Sequence, residues 1–460
     1  MDAYRIIGGR PLCGTARVAG AKNAALPILA ASLLADGPVE LTNVPQVTDV
    51  NTLCSVLRAL GVSVQRDETN ARDGTPGRVQ LLADHTAACL APEHLVSRMR
   101  ASFCVLGPLL ARRGRAVVSL PGGCNLGDRP VDLHLKGLAA LGADIRIQKG
   151  YVVAEANRLQ GAEIDMHGPR GPTVTGTANV MMAAALAAGV TRIRGAAREP
   201  EIVDLGRFLN RMGADIEGLG ESTVTIRGVS RLAGCSHRII PDRIEAATML
   251  LAAAITGGEV TLEGVCADHI TAVSELLQSA GATITREQDL LMLRAADPLA
   301  AIQFAARPFP HMPTDLQPQL MALSCVSRGT SRVEDRVFPA RWRHAAELRR
   351  MGAQIEVGQC RDVSAGEAGY GVASVVGVEW LLGARVQASD LRAGVALVLA
   401  GLAAQGETIV TGTHHIDRGY QRLEQKLCSL GADIERVEVP DSGADTSDGM
   451  RRRSRHPHAA

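Results

Sequence analysis

The sequence predicts an α/β protein of two similar domains, each made of three copies of one unit. Three observations carry the prediction: a motif that recurs six times, an apolar segment ahead of each copy, and a short alternating strand after each segment. The motif reads Leu-x-x-(Leu/Met/Ala)-Gly-(Ala/Val)-x-(Ile/Val). Its copies are LRALGVSV, LAALGADI, LNRMGADI, LQSAGATI, LRRMGAQI and LCSLGADI, with glycines at Gly61, Gly142, Gly213, Gly281, Gly352 and Gly431. Each reads as a helix end closed by a left-handed glycine and running straight into a strand. Regular self-similarity of this kind signals a repeat architecture.

Taken in order, the apolar segments are NAALPILAASLLADG, ASFCVLGPLLARRG, TANVMMAAALAAG, IEAATMLLAAAITGG, LQPQLMALSCVSRG and LRAGVALVLAGLAAQG. They are apolar on nearly every side, which suits helices buried inside a domain rather than lying on its surface. Strands such as VELTNV, AVVSL, TRIRG and EVTLEGV follow them with period-two alternation. Six units in 460 residues fit two domains of three. The first is expected over residues 22–239 and the second over 1–21 together with 240–437, with the junction near Ile239–Asp242. The N-terminal strand is expected to pack with the second domain. Residues 438–460, polar and then basic, read as a disordered tail.

Composition excludes several function classes. Net charge is +1 and aromatics are scarce (2 Trp, 4 Tyr, 5 Phe), so neither the charge field nor the stacking platform of a nucleic-acid binder is present. No apolar stretch is long enough to span a bilayer, and the N-terminus carries no signal-peptide core. Ten cysteines are scattered without a CxxC pair, which argues against a disulfide framework or a zinc site and for a reducing cytoplasm.

Chemistry concentrates in two features. The loop LPGGCNLGDRPVDLHLKG places Cys124 among glycines, where a thiol is reachable, with Arg129 close enough to stabilise a thiolate or hold an anion. The buried segments also begin with charged or polar residues: Lys22-Asn23, Arg98 and Arg100, Thr175-Gly176-Thr177, Asp242-Arg243, Thr314-Asp315, and Asp390 with Arg392. Asp and Thr are ordinary caps. Cations there are opposed by the helix dipole, so Lys22, Arg100 and Arg392 point to an anion in front of them.

These stretches resemble a known family. GAKNAALPILAASLL, PGGCNLGDRPVDLHLKGLAALGADI, AAREPEIVDL, PDRIEAATMLLAAAITGG, PTDLQPQLMAL, DLRAGVALVLAG and HHIDRGYQRLEQKL are similar to the UDP-N-acetylglucosamine enolpyruvyl transferases. The resemblance covers residues 1 to about 437. It implies two similar inside-out α/β barrel domains, each of three βαβαββ-type units, with the active site in the cleft between them. It implies transfer of the enolpyruvyl group of phosphoenolpyruvate to the 3′-hydroxyl of UDP-N-acetylglucosamine, with no metal or organic cofactor.

By the same resemblance Cys124 is the proton donor and the thiol that fosfomycin alkylates, on a loop that closes over the cleft. Asp315 takes the hydroxyl proton. Lys22, Arg129 and Arg418 hold phosphoenolpyruvate, with Arg392 and Asp390 beside the reacting centre. Asn23, Arg100, Arg129, Pro130, Val131, Asp132, Leu133, Val174, Thr175, Val337 and Arg341 belong to the substrate site. The chain departs from the family at Pro339-Ala340-Arg341-Trp342, where Glu-Asn-Arg-Phe is common, at Ala178 for Glu and at Ala247 for Gly. The sister reaction on 3-phosphoshikimate shares fold and donor, but its GNAGTxxRP stretch is absent. A non-catalytic UDP-N-acetylglucosamine-binding homologue is the other alternative; retention of Cys124, Asp315 and the cations argues against it.

Overall fold

The computed structural model describes residues 1–67, 77–84, 88–121, 130–360 and 369–440. Six helices form its interior: α1 (Lys22–Ala31), α2 (Leu106–Arg113), α3 (Val174–Ala184), α4 (Arg243–Ile255), α5 (Gln317–Ser324) and α6 (Leu391–Ala403). Their sequences explain the placement. All thirteen residues of α4 are buried, and α6 is buried from Arg392 to Leu402. With no polar face to offer water, such helices must be surrounded by protein. The outer helices differ. Pro200–Arg211 buries Ile202, Leu205, Phe208 and Leu209 and turns Arg207, Asn210 and Arg211 outward.

Among the described residues, six four-stranded sheets cover these helices, three around each core. In five of these sheets three strands belong to one unit, and in all six a parallel fourth arrives from outside it. Ser236–Arg238, after the third unit, pairs with Val39–Val44 of the first, so the first set of three closes on itself. In the second set Asp2–Ile7 fills the place of a missing strand between Glu407–Thr411 and Asp433–Glu438. The N-terminal strand therefore lies with the second core. The six motif glycines all have positive φ, from 83° at Gly61 to 106° at Gly281. A side chain there would strain the turn from helix into strand.

Two apolar cores result. One gathers buried residues between Ala21 and Ile239; the other gathers Tyr4 to Val18 with Ile244 to Ile434. The two crossings between them run side by side: Ala21 N–H donates to Ile240 O at 2.7 Å and Asp242 N–H to Ala19 O at 2.8 Å.

Three expectations change in detail. The second interior helix is preceded by a tighter 3-10 turn, Arg100–Val105, and Asp315 lies in another, Thr314–Leu316. Glu438–Pro440, expected in the tail, are ordered: Glu438 pairs with Asp2, Val439 N–H donates to Met1 O at 3.0 Å and Pro440 O accepts from Arg385 at 2.9 Å. Residues 441–460 lie outside the described residues. Among those described, no helix is long and apolar enough to cross a membrane.

Candidate active site

Four interior helices bring their N-termini to the seam between the cores. Asp242, the cap of α4, accepts from Ile244 N–H at 2.8 Å and Glu245 N–H at 3.1 Å through one oxygen. Its other oxygen accepts the backbone N–H of Lys22, the first residue of α1, at 3.2 Å. One carboxylate thus caps two helices from different cores. Asp390 caps α6, accepting from Arg392 N–H at 3.0 Å and Ala393 N–H at 3.1 Å.

The first charged group at this seam joins Lys22 and Arg418. Lys22 Nζ donates to Asp49 Oδ2 at 3.1 Å, and Arg418 Nε donates to Asp49 Oδ1 at 2.9 Å. Asp49 is 4% exposed and Lys22 8%. Burial alone would push the Asp49 carboxyl up, but Lys22 and Arg418 outweigh it and hold the group below its usual range. Lys22 opposes the dipole of its own helix, and Asp49 supplies the compensating charge.

The second group surrounds Asp315. Arg392 Nε donates to Asp315 Oδ1 at 3.1 Å, and Arg341 Nη2 lies 3.9 Å from the same oxygen. The Asp315 side chain keeps 34% exposure while both arginines keep 4%. Burial opposes its charge, yet Arg392 and then Arg341 hold it well below the usual carboxylate range. Arg392 also lies over the Tyr420 ring, 5.4 Å from its centroid. Arg341 Nη1 donates to Thr314 O at 2.9 Å, and Thr314 Oγ1 donates to Asp335 Oδ2 at 2.7 Å. Asp335 further accepts from Val337 N–H at 2.9 Å and Phe338 N–H at 2.6 Å. Arg341, Thr314, Asp315 and Val337 are thereby fixed in one network.

The remaining predicted residues gather in the first core. Arg100 Nη2 donates to Pro130 O at 3.0 Å, tying the 3-10 turn to the segment that holds Val131, Asp132 and Leu133. Thr175 Oγ1, beside Val174 at the start of α3, meets His134 Nε2 at 3.1 Å. Asn179 Nδ2 donates to His134 Nδ1 at 2.9 Å, which assigns the ring proton to Nε2. Burial pushes His134 down to about 3, so it stays neutral. Asn179 Oδ1 accepts from Gly107 N–H at 2.8 Å; a Cβ on Gly107 would sit 2.3 Å from Asn179 O, so only glycine permits this approach of α2 to α3. Asn23 is half-buried next to Lys22. Cys124 and Arg129, with the expected closing loop, lie outside the described residues.

Sequence reasoning missed three charged groups. Asp49 looks like any first-turn acid of an amphipathic helix, here Thr48–Ala59. Asp335 ends a strand and gives no motif. Arg243 was visible as a charged helix start, but its partner was not: its Nε donates to Glu201 Oε1 at 2.9 Å across the seam. The departures from the family pattern fall partly on packing. Ala178 and Ala247 are buried in interior helices, and Pro339 O accepts Trp342 Nε1–H at 2.7 Å.

A family model described as EPSP synthase (3-phosphoshikimate 1-carboxyvinyltransferase) matches residues 6–427. A UDP-N-acetylglucosamine 1-carboxyvinyltransferase of Rhodospirillum centenum is 49% identical over 447 residues, 96% of this chain and 100% of that one. One from Sorangium cellulosum is 49% identical over 445 residues, with the same coverage of 96% and 100%. The crystal structure of the enolpyruvyl transferase NikO from Streptomyces tendae superposes with a TM-score of 0.82 at 26% identity, covering 95% of this chain and 99% of that one. The chain belongs to the enolpyruvyl transferase family, among the UDP-N-acetylglucosamine 1-carboxyvinyltransferases.

Proposed function

We propose that this chain transfers the enolpyruvyl group of phosphoenolpyruvate to the 3′-hydroxyl of UDP-N-acetylglucosamine and releases phosphate. The reaction is the first committed step of peptidoglycan precursor synthesis, carried out in the cytoplasm. The observation that carries the reading is Asp315 paired with Arg392 at one helix start, in a seam that also holds the Lys22–Asp49–Arg418 trio.

In this reading Asp315 accepts the 3′-hydroxyl proton as that oxygen bonds to C2 of phosphoenolpyruvate. The Cys124 thiol gives its proton to C3, which completes addition across the vinyl bond. The adduct then loses a proton from C3 and expels phosphate, so the C2–C3 double bond returns in the product and no net oxidation occurs. Lys22, Arg129 and Arg418 hold the phosphate and carboxylate of the donor, with Arg392 and Asp390 beside the reacting carbon. Asn23, Arg100, Pro130, Val131, Asp132, Leu133, Val174, Thr175, Val337 and Arg341 hold the sugar nucleotide.

The test is phosphate release from phosphoenolpyruvate with UDP-N-acetylglucosamine or shikimate 3-phosphate as acceptor, in wild type and Cys124→Ala. Release is expected with the sugar nucleotide alone, lost in the variant and blocked by fosfomycin. Silence with both acceptors, despite calorimetric binding of UDP-N-acetylglucosamine, would overturn the reaction and leave a binding protein.

A further inference from the structure

We infer that Asp49 is a positioning residue that builds the anion seat for the donor by holding Lys22 and Arg418, one from each core. The inference rests on the proposed reaction and names a residue that the reaction itself does not use.

Three observations carry it. First, each Asp49 oxygen takes one cation, Lys22 at 3.1 Å and Arg418 at 2.9 Å, so the carboxylate bridges the two. Second, Arg418 is held by Nε. Among the described residues its guanidinium makes no other hydrogen bond, and its side chain keeps 35% exposure. A guanidinium fixed through Nε has its plane set and its two Nη groups free, the fork that fits a carboxylate or phosphate. Lys22 likewise spends one of its three ammonium donors on Asp49.

Third, the surrounding loops are stitched to each other. Thr48 N–H donates to Asp417 O at 3.0 Å, and Gln46 N–H donates to Gln421 Oε1 at 3.0 Å. Arg436 holds Asp417 in turn, at 3.0 and 2.6 Å. The turn that carries Arg418 is therefore docked on the start of the Asp49 helix. Two cations without a carboxylate between them would repel each other at this separation. Asp49 removes that repulsion and leaves the trio with one net positive charge. It therefore orders the seat while leaving it attractive to an anion.

The experiment compares wild type, Asp49→Asn and Asp49→Glu in phosphate release, varying each substrate in turn, with calorimetric binding of inorganic phosphate to the same proteins. Asn keeps the size but presents one amide NH₂ where a cation stood, so one cation is released. The expected result is a phosphoenolpyruvate KM raised roughly 10–100-fold, the worth of a charge-assisted contact. The UDP-N-acetylglucosamine KM should stay within about twofold, phosphate binding should weaken in parallel with the donor KM, and Glu should restore part of the loss. Tighter or unchanged phosphate and donor binding in Asp49→Asn would show the carboxylate to be a competitor of the anion and overturn the inference. So would a parallel rise of both KM values with a fall in melting temperature, the mark of a structural role alone. If wild type releases no phosphate, the reaction reading falls, and the phosphate calorimetry decides on Asp49 by itself.

Discussion

Replacing Asp315 by Asn removes a proton acceptor while keeping its size and one acceptor for Arg392. A positioned general base contributes about 10²–10⁴ in rate, or about 2.7–5.4 kcal/mol of barrier, so kcat should fall by that range. Asn is the informative choice. Ala would take from Arg392, 4% exposed, its carboxylate partner, and breaking a buried pair costs about 3–5 kcal/mol. The 34% exposure of Asp315 puts the cost here near or below the low end.

The same geometry sets a pH dependence. Burial would raise the Asp315 carboxyl, but Arg392 leads the groups that hold it low, so wild type stays ionised and Asp315 supplies no acid limb to kcat above about pH 5. Arg392→Gln removes the leading opposing charge and leaves Arg341 at 3.9 Å. The carboxyl then rises, by about 1–3 units for the loss of one adjacent arginine, but it stays at or below the usual carboxylate range, so kcat should keep a flat acid side down to about pH 5 in both proteins. The assay is kcat for phosphate release at saturating substrates from about pH 4.5 to 9. An Asp315→Asn variant within tenfold of wild type, or an acid limb above about pH 6 in Arg392→Gln, would refute the reasoning.

Two further outcomes concern stability. Burial raises Asp335 from its usual 3.8 to about 6, against the pull of Phe338 N–H, Thr314 and Arg341. A folded value above the unfolded one gives stability that is fully present below pH 3.8 and lost as pH rises through about 6, on the order of 3 kcal/mol. Asp335→Asn should therefore flatten the fall in melting temperature between pH 4 and 7 relative to wild type; an identical slope in both proteins counts against it. Arg243→Met leaves Glu201 charged and buried and should cost about 3–5 kcal/mol in thermal or denaturant unfolding, most of it recovered by adding Glu201→Gln. Equal losses in the single and double variants would show that Arg243 acts through its packing on Phe309 instead.

The repeat was legible because its marks are obligatory. Gly61 and its five counterparts stand where only glycine is unstrained, and α4 and α6 have no face that water could wet. Lys22 and Arg392 stood out because a cation at a helix start is opposed by the dipole; the anion found beside each is an aspartate of the chain itself, Asp49 and Asp315. Asp49 was not legible, since an acid in a first turn is what any helix prefers, and its two cations lie 27 and 369 positions away. Asp335 and the Glu201–Arg243 pair share that difficulty: each residue is locally ordinary, and only the fold joins them. The closure of each core is another such feature, because the parallel strand that completes a sheet is short, three residues at Ser236–Arg238, and carries no periodicity to read.

The placement of Asp2–Ile7 bears on the order in which the chain assembles. Every described strand around the first core lies between Val39 and Arg238, so those parts of the core are all present once the third unit has been synthesised. The second core begins earlier and finishes later. Its first strand pairs with Glu407–Thr411 and Asp433–Glu438, and Arg5 and Glu407, which bond across that sheet, are 402 positions apart. Closing so long a loop adds little to the equilibrium cost, which grows only with the logarithm of length, but it delays the pairing. The strand made first is among the last to be used. Until then it is an unpaired edge carrying Tyr4 and Ile6, both fully buried at the end, and a growing chain must keep it from other partners.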